Sequence, residues 1–196
     1  MNEKPKYYDI HSSLWRESWD KALPFKLYIE SDGGTYRGKW EETYNRVVLS
    51  EEQRKTICGF VRKLQVLVLS GVWCGDCSRQ GPIIQKIVEA GKGLEARFLD
   101  NRRNPQLQDE LRINGAMKVP VAVFLNEDFF ELGRFGDRHL AVYRMKLETE
   151  TGNACSTGLA VSQELLSRDI RDWVDLFERM HAIVRLAPAY RRKYGD

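Results

Sequence analysis

Val66-Leu67-Val68-Leu69-Ser70-Gly71-Val72-Trp73-Cys74-Gly75-Asp76-Cys77 is the stretch on which the fold turns. Val66 to Leu69 form a short, unbroken apolar run, the pattern of a central strand buried on both faces. Past the second cysteine, Ile83, Ile84, Ile87 and Val88 recur at helical spacing, and Gly91 and Gly93 end the pattern as helix-terminating glycines do. A cysteine pair therefore stands where a buried strand runs into the first turn of a helix.

On the N-terminal side, Ser50-Glu51-Glu52-Gln53 is a capping box, and Ile57, Phe60, Val61 and Leu64 recur on one helical face behind it. On the other side, Ala96 to Leu99 reads as a second buried strand. Asn104-Pro105 then starts a helix with a cap and a first-turn proline; it carries Leu107 and Leu111 and stops at Asn114-Gly115. Val119 to Leu125 is a strand with its proline at the start, and Asn126-Glu127-Asp128 turns the chain into Phe129 to Leu132 as an antiparallel hairpin. Leu166, Ile170, Trp173, Val174, Phe177, Met180 and Val184 line one face of a long helix that stops before Pro188. Strands alternating with crossover helices, followed by a hairpin, predict a mixed sheet covered on both faces.

Upstream, two helices are expected, Ser13 to Lys21 and Thr35 to Val47, interrupted by Pro24 and Asp32-Gly33-Gly34. Trp15, Trp19, Tyr36, Trp40 and Tyr44 suit packing onto a neighbouring surface better than a ligand site.

The chain of 196 residues carries 31 basic and 28 acidic side chains, a net +3 too balanced to indicate a nucleic-acid partner. Its one basic cluster, Arg191-Arg192-Lys193, reads as a solvated end. No apolar run reaches the roughly 20 residues of a membrane span, and Met1 to Tyr8 lack the apolar segment of a secretory signal, so a cytoplasmic location and no membrane partner are expected. The four cysteines, Cys58, Cys74, Cys77 and Cys155, do not resemble a secreted disulfide framework; in a reducing compartment Cys-x-x-Cys indicates redox or metal chemistry.

Redox chemistry needs the pair where it is. The thiolate is the species that attacks a disulfide, and a free cysteine, with a pKa of about 8.5, is mostly protonated at neutral pH. The unpaired N–H groups and dipole of a helix N-terminus favour the anion at Cys74. Cys77, three residues on, can close back onto Cys74 within one helical turn, so a mixed disulfide resolves inside the protein. A zinc site lacks its other half: Cys58 and Cys155 are isolated, and His11, His139 and His181 show no ligand spacing. Cys58 borders an apolar helical face and is expected in the core. Cys155 sits in a small-residue loop, Thr151 to Gly158, as a bystander or an additional thiol near the substrate. Gly133 and Gly136 suit hairpin geometry, not a phosphate loop.

Several spaced features together resemble thioredoxin: the Trp73-Cys74-Gly75-Asp76-Cys77 turn after an apolar strand, Pro82 five residues beyond, Val119-Pro120 opening a later strand, and Gly136 sixteen residues after Pro120. The resemblance covers residues 50–137, with the helix near 163–186 completing the fold. It implies an α/β, three-layer thioredoxin-like sandwich with a mixed central sheet. Residues 1–49 would then be a helical N-terminal extension, 50–137 the core, and 138–196 an insertion loop and the C-terminal helix. It implies a thiol–disulfide oxidoreductase in which Cys74 attacks and Cys77 resolves. Val119-Pro120 would be a cis peptide beside Cys74, presenting the Val119 backbone to an extended substrate, while Pro120 helps keep metal from the thiols and Trp73 forms part of the docking surface. The implied partners are a disulfide-containing protein or small molecule and an electron donor; no cofactor is implied. Two other readings stay open: a binding module that recruits a partner through additions at 1–49 and 138–160, and a redox sensor without efficient turnover.

Two positions depart from the family pattern. Thioredoxin carries a buried aspartate six residues before its first cysteine, where this chain has Val68, so proton transfer at Cys77 would fall to water or Asp76. Asp76 also stands where thioredoxin has proline. A carboxylate about 6 Å from a thiolate in mostly aqueous dielectric costs roughly 0.7–1.3 kcal/mol, or at most about one pK unit. Cys74 is therefore expected to be less acidic than in oxidising relatives, and the protein to lean toward reduction.

Overall fold

A computed structural model describes residues 6–151 and 165–195. Its elements follow the chain as α1 (Ser12–Lys21), β1 (Leu23–Pro24), α2 (Phe25–Glu30), α3 (Arg37–Arg46), α4 (Glu51–Cys58), β2 (Leu64–Ser70) and α5 (Gly75–Ala90). Then come β3 (Leu94–Asp100), a 3-10 turn at Asn101–Arg103, α6 (Pro105–Glu110), β4 (Val121–Leu125), β5 (Glu131–Gly136), α7 (Leu140–Thr151), α8 (Leu165–Leu186) and α9 (Pro188–Tyr194).

The strands form one sheet in the order β1-β3-β2-β4-β5. β2 and β3 are parallel, while β1, β4 and β5 join antiparallel. This is the mixed sheet that the alternation of strands and crossover helices implies. β2 is buried nearly throughout, as its unbroken apolar run requires.

Register assigns the two faces. Val68 lies opposite Phe98 and Ala122, and Val66 opposite Ala96 and Phe124, so these side chains share one face. On it, Phe98 meets Phe25, Tyr28 and Trp40, and Phe124 meets Trp173 and Phe177 of α8. Across the sheet, Arg97 lies over Trp19 and Arg134 over Trp15, both on α1. Trp15, Trp19 and Trp40 are buried, and Tyr36 and Tyr44 pack half-buried against the core, so these five aromatics are packing groups.

Several local expectations shift. β1 and α2 have no strong periodic signal: β1 is two residues long, and its proline fits only an edge strand. Ser50 caps α4 in both directions, accepting the Gln53 N–H at 3.1 Å while its own N–H donates to Gln53 Oε1 at 2.9 Å. α4 stops at Cys58, however, before Phe60 and Val61. Cys58 consequently faces solvent instead of the core, its thiol 3.4 Å from the Ala90 carbonyl. Asn104 does not cap α6; its amide turns back to the Asp100 carbonyl at 2.8 Å. Gly91 ends α5 with extended backbone, not a left-handed turn; a Cβ there would meet Leu94 and Ile57 at 2.5 and 2.9 Å. The hairpin strand begins at Glu131 and not at Phe129, because Asn126 Oδ1 accepts the N–H groups of Asp128 and Phe130 and holds Phe129 in the turn at φ 62°. The basic tail is the solvated end expected: Arg191, Arg192 and Lys193 are exposed, and Lys193 pairs at the surface with Asp128 at 2.6 Å. Cys155 and the rest of 152–164 lie outside the described residues.

Candidate active site

β2 ends at Ser70, and five residues later, at Gly75, the chain enters α5. Gly71 makes the intervening turn possible: a Cβ there would lie 2.8 Å from the Trp73 indole. Cys74 is the N-cap of α5, with extended backbone at φ −82° and ψ 127°. Its sulfur therefore sits at the positive end of the helix, half-buried, while Cys77 one turn on is fully buried. Both are free thiols.

The environment drives the two thiols apart. A hydrogen bond from the Cys77 thiol lowers the Cys74 pKa to about 6, helped by the backbone N–H groups of Cys77 and Asp76 and opposed by partial burial and the Asp76 charge. Burial pushes Cys77 well above the ordinary thiol range, and ionised Cys74 adds to the rise; the Ser70 hydroxyl and the Gly71 N–H, 3.4 Å from its sulfur, offset part of it. An ionised sulfur at Cys74 and a protonated one behind it is the distribution that exchange chemistry uses.

The expected flanking groups converge on the pair. The Val119–Pro120 peptide is cis, and the Val119 carbonyl lies 3.8 Å from Cys74 Sγ. Trp73 is 38% exposed beside Cys74, with the Arg102 guanidinium 4.3 Å from its ring centroid.

Asp76 is not the free carboxylate its sequence position suggests. Arg138 holds Oδ2 through Nε and Nη2, each at 2.7 Å, and Arg79 Nη2 lies 3.2 Å from Oδ1. Arg79 also donates from Nε to Asp169 Oδ2 at 2.7 Å, on α8. Asp137, next to Arg138, pairs with Lys118 at 3.3 Å, accepts the Tyr143 hydroxyl, and receives Gln80 Nε2 on its carbonyl at 2.7 Å. The residue after Lys118 is Val119, so this network runs from the helix that carries the cysteines to the loop facing Cys74. Two guanidiniums hold Asp76, and its charge raises the Cys74 pKa by less than the hydrogen bond from Cys77 lowers it.

Sequence reading missed Arg79, Arg138, Asp169 and the polar residues behind Cys77. Arg79 was legible as an i, i+3 partner of Asp76 on one helix. Arg138 and Asp169 lie 62 and 90 positions from their partners and carry no local signal. Among the described residues, no group of three His, Cys, Asp or Glu side chains is placed to hold a metal ion.

A parallel β2–β3 pair, an antiparallel hairpin and a cysteine pair at the N-terminus of the helix after β2 define the thioredoxin-like class of α/β proteins. A family model described as thioredoxin matches residues 22–150, and the chain belongs to that family. Among solved structures, it is similar to a protein of unknown function from Pseudomonas aeruginosa, with 18% identity and a TM-score of 0.64 over 88% of this chain and 98% of the other. It is similar also to an HIV epitope scaffold, at 19% identity and a TM-score of 0.64, over 83% of this chain and 96% of that one. These likenesses show the fold. No curated protein matches the chain significantly.

Proposed function

We propose that this chain is a thiol–disulfide oxidoreductase, acting as a thioredoxin-like reductase of disulfides through Cys74 and Cys77. The observation that carries the reading is the half-buried Cys74 sulfur at the mouth of α5, held at a pKa of about 6, with buried Cys77 behind it held protonated. At neutral pH the Cys74 thiolate attacks a substrate disulfide, one substrate sulfur leaves as a thiol, and the other remains joined to Cys74. Cys77 then attacks Cys74, releasing the second sulfur and closing the Cys74–Cys77 disulfide. An external dithiol donor returns the pair to its reduced form.

Trp73, the Val119 backbone and Pro120 form the docking surface, and Asp76 modulates Cys74 from within its arginine clamp. A reducing compartment such as the cytoplasm suits a protein that must be regenerated as a dithiol. Among the described residues, no helix is long and apolar enough to cross a membrane.

Replacing Cys77 with serine tests the reading. The variant should accumulate a mixed disulfide with substrate that disappears when Cys74 is also replaced, and the unaltered protein should reduce an aromatic disulfide reporter with turnover. Absence of both adduct and turnover would reject the activity.

A further inference from the structure

The family pattern puts a buried carboxylate at position 68, and here Val68 fills it. Two positions further along the same strand, Ser70 lies on the same face of the sheet, since side chains two apart in a strand point the same way. That face is the one on which Tyr28 stacks against Phe98, with ring centroids 5.4 Å apart. Ser70 and Tyr28 are both buried, and neither Ser70 Oγ nor Tyr28 Oη has a hydrogen-bond partner. Buried hydroxyls are nearly always satisfied, so two orphans on one face of the sheet need an explanation. Cys77, equally buried, is their neighbour: the N–H of Gly71, the residue after Ser70, lies 3.4 Å from its sulfur, and the Ser70 hydroxyl acts on both the Cys77 thiol and the Tyr28 phenol.

We propose that Tyr28 and Ser70 are positioning residues for the resolving step, a chain of two neutral donors that closes on the Cys77 sulfur when it ionises. This rests on the exchange chemistry above and gives it a device in place of the missing carboxylate. While Cys77 is a thiol, neither hydroxyl is hydrogen-bonded, and no charged acceptor draws them into line. When Cys77 gives up its proton, the Ser70 O–H donates to the thiolate, the Tyr28 O–H donates to Ser70 Oγ, and the Gly71 N–H already points at the same sulfur at 3.4 Å. Charge-assisted hydrogen bonds of this kind are about twice as strong as neutral ones.

The step balances. The bond between Cys74 and the substrate sulfur breaks as the Cys74–Cys77 bond forms; Cys77 is oxidised and the departing sulfur reduced. The proton released by Cys77 ends on that departing thiolate. Neither hydroxyl acts as a base, and neither changes its proton count. The ionisable groups bearing on this pocket are Cys74 on the same turn, Tyr28 on α2, and Asp100 at the end of β3, which acts on Tyr28.

Cys77 can be titrated alone in a Cys74→Ser protein by ultraviolet thiolate absorbance, a measurement that needs no substrate. Ser70→Ala in that background should lower the thiolate fraction at a fixed pH about tenfold or more, the weight of one hydrogen bond to a charged group, and Ser70→Thr should restore it. Tyr28→Phe should shift the titration in the same direction by less, and should add nothing once Ser70 is alanine, since the donors act in series. An unchanged titration in Ser70→Ala, or additive effects of the two substitutions, overturns the proposal. If Ser70→Ala does not fold, Tyr28→Phe against the Cys74→Ser parent decides: a lowered thiolate fraction supports the chain and an unchanged one rejects it. Because the titration reads Cys77 directly, a protein that fails to turn over substrates can still support the donor chain, and an active one can still refute it.

Discussion

Arg138 closes on Asp76 from 62 residues away, with its Nε and Nη2 both 2.7 Å from Oδ2. The contact ties the loop after β5 to the first turn of α5, and it sets how much of the Asp76 charge Cys74 feels. Arg138→Gln should free that charge and raise the Cys74 pKa, by up to about one unit for a carboxylate at this range. Asp76→Asn should move it the other way, leaving Arg138 and Arg79 as unpaired cations beside the thiolate. Iodoacetamide alkylation rates measured against pH report both shifts. Equal movement in one direction would show that the clamp matters only for shape.

The Cys74 pKa of about 6 also governs the potential of the pair. Below it, reducing the disulfide takes up two protons with two electrons; above it, one, because Cys74 stays ionised while Cys77 holds its proton. A plot of potential against pH should fall by about 59 mV per unit on the acidic side and by about 30 mV on the neutral side. The bend should lie near pH 6. Equilibration with glutathione or dithiothreitol buffers measures it, and a slope that stays at about 59 mV per unit through pH 7 would contradict an ionised Cys74.

The features legible in the sequence share a physical basis: each is local. The apolar run at Val66–Leu69, the capping box at Ser50 and the cysteine spacing involve residues within one turn or one strand of each other. What escaped notice is set by tertiary packing. Cys58 looks apolar by its neighbours, yet α4 ends on it and turns it to solvent. Ser70 reads as the polar end of a strand, and only the sheet register shows that it shares a face with Phe98 and hence with Tyr28. Asp76 reads as a free carboxylate until Arg138 arrives from the far side of the hairpin.

Arg79 reaches in two directions, to Asp76 and to Asp169, which is fully buried on α8. Burial raises the Asp169 pKa to about 6 even though Arg79 opposes it. A carboxyl that holds its proton more tightly folded than unfolded contributes stability below its unfolded pKa, about 3.9. It loses that contribution as pH rises through about 6. His139 runs oppositely: burial and the Arg79 charge lower it to about 4, so its contribution is present above the unfolded value and lost as pH falls through about 4. The two trends offset in the wild-type protein. Arg79→Met should break this balance, leaving a buried carboxylate unpaired at neutral pH at a cost of about 3–5 kcal/mol. Urea unfolding should show the loss shrinking on acidification, and Asp169→Asn should recover most of it at pH 7. A pH-independent loss would assign the effect to packing.

Trp40 ties the N-terminal helices to the turn that carries the cysteines. Its indole N–H donates to the Val72 carbonyl at 2.9 Å, and its ring lies so close over Gly81 of α5 that a Cβ there would overlap it. Gly81→Ala should therefore cost about 1–3 kcal/mol as an overpacked contact. Trp40→Phe keeps an aromatic ring but strands the Val72 carbonyl, which should cost about 1–3 kcal/mol. The two should not add: the smaller ring opens the space that the alanine methyl needs, so the double variant should unfold at a lower cost than the sum of the singles. Denaturant midpoints for the four proteins form the cycle. Strict additivity would mean that α3 shifts away from α5 to accommodate the methyl, and that residue 81 does not register the ring above it.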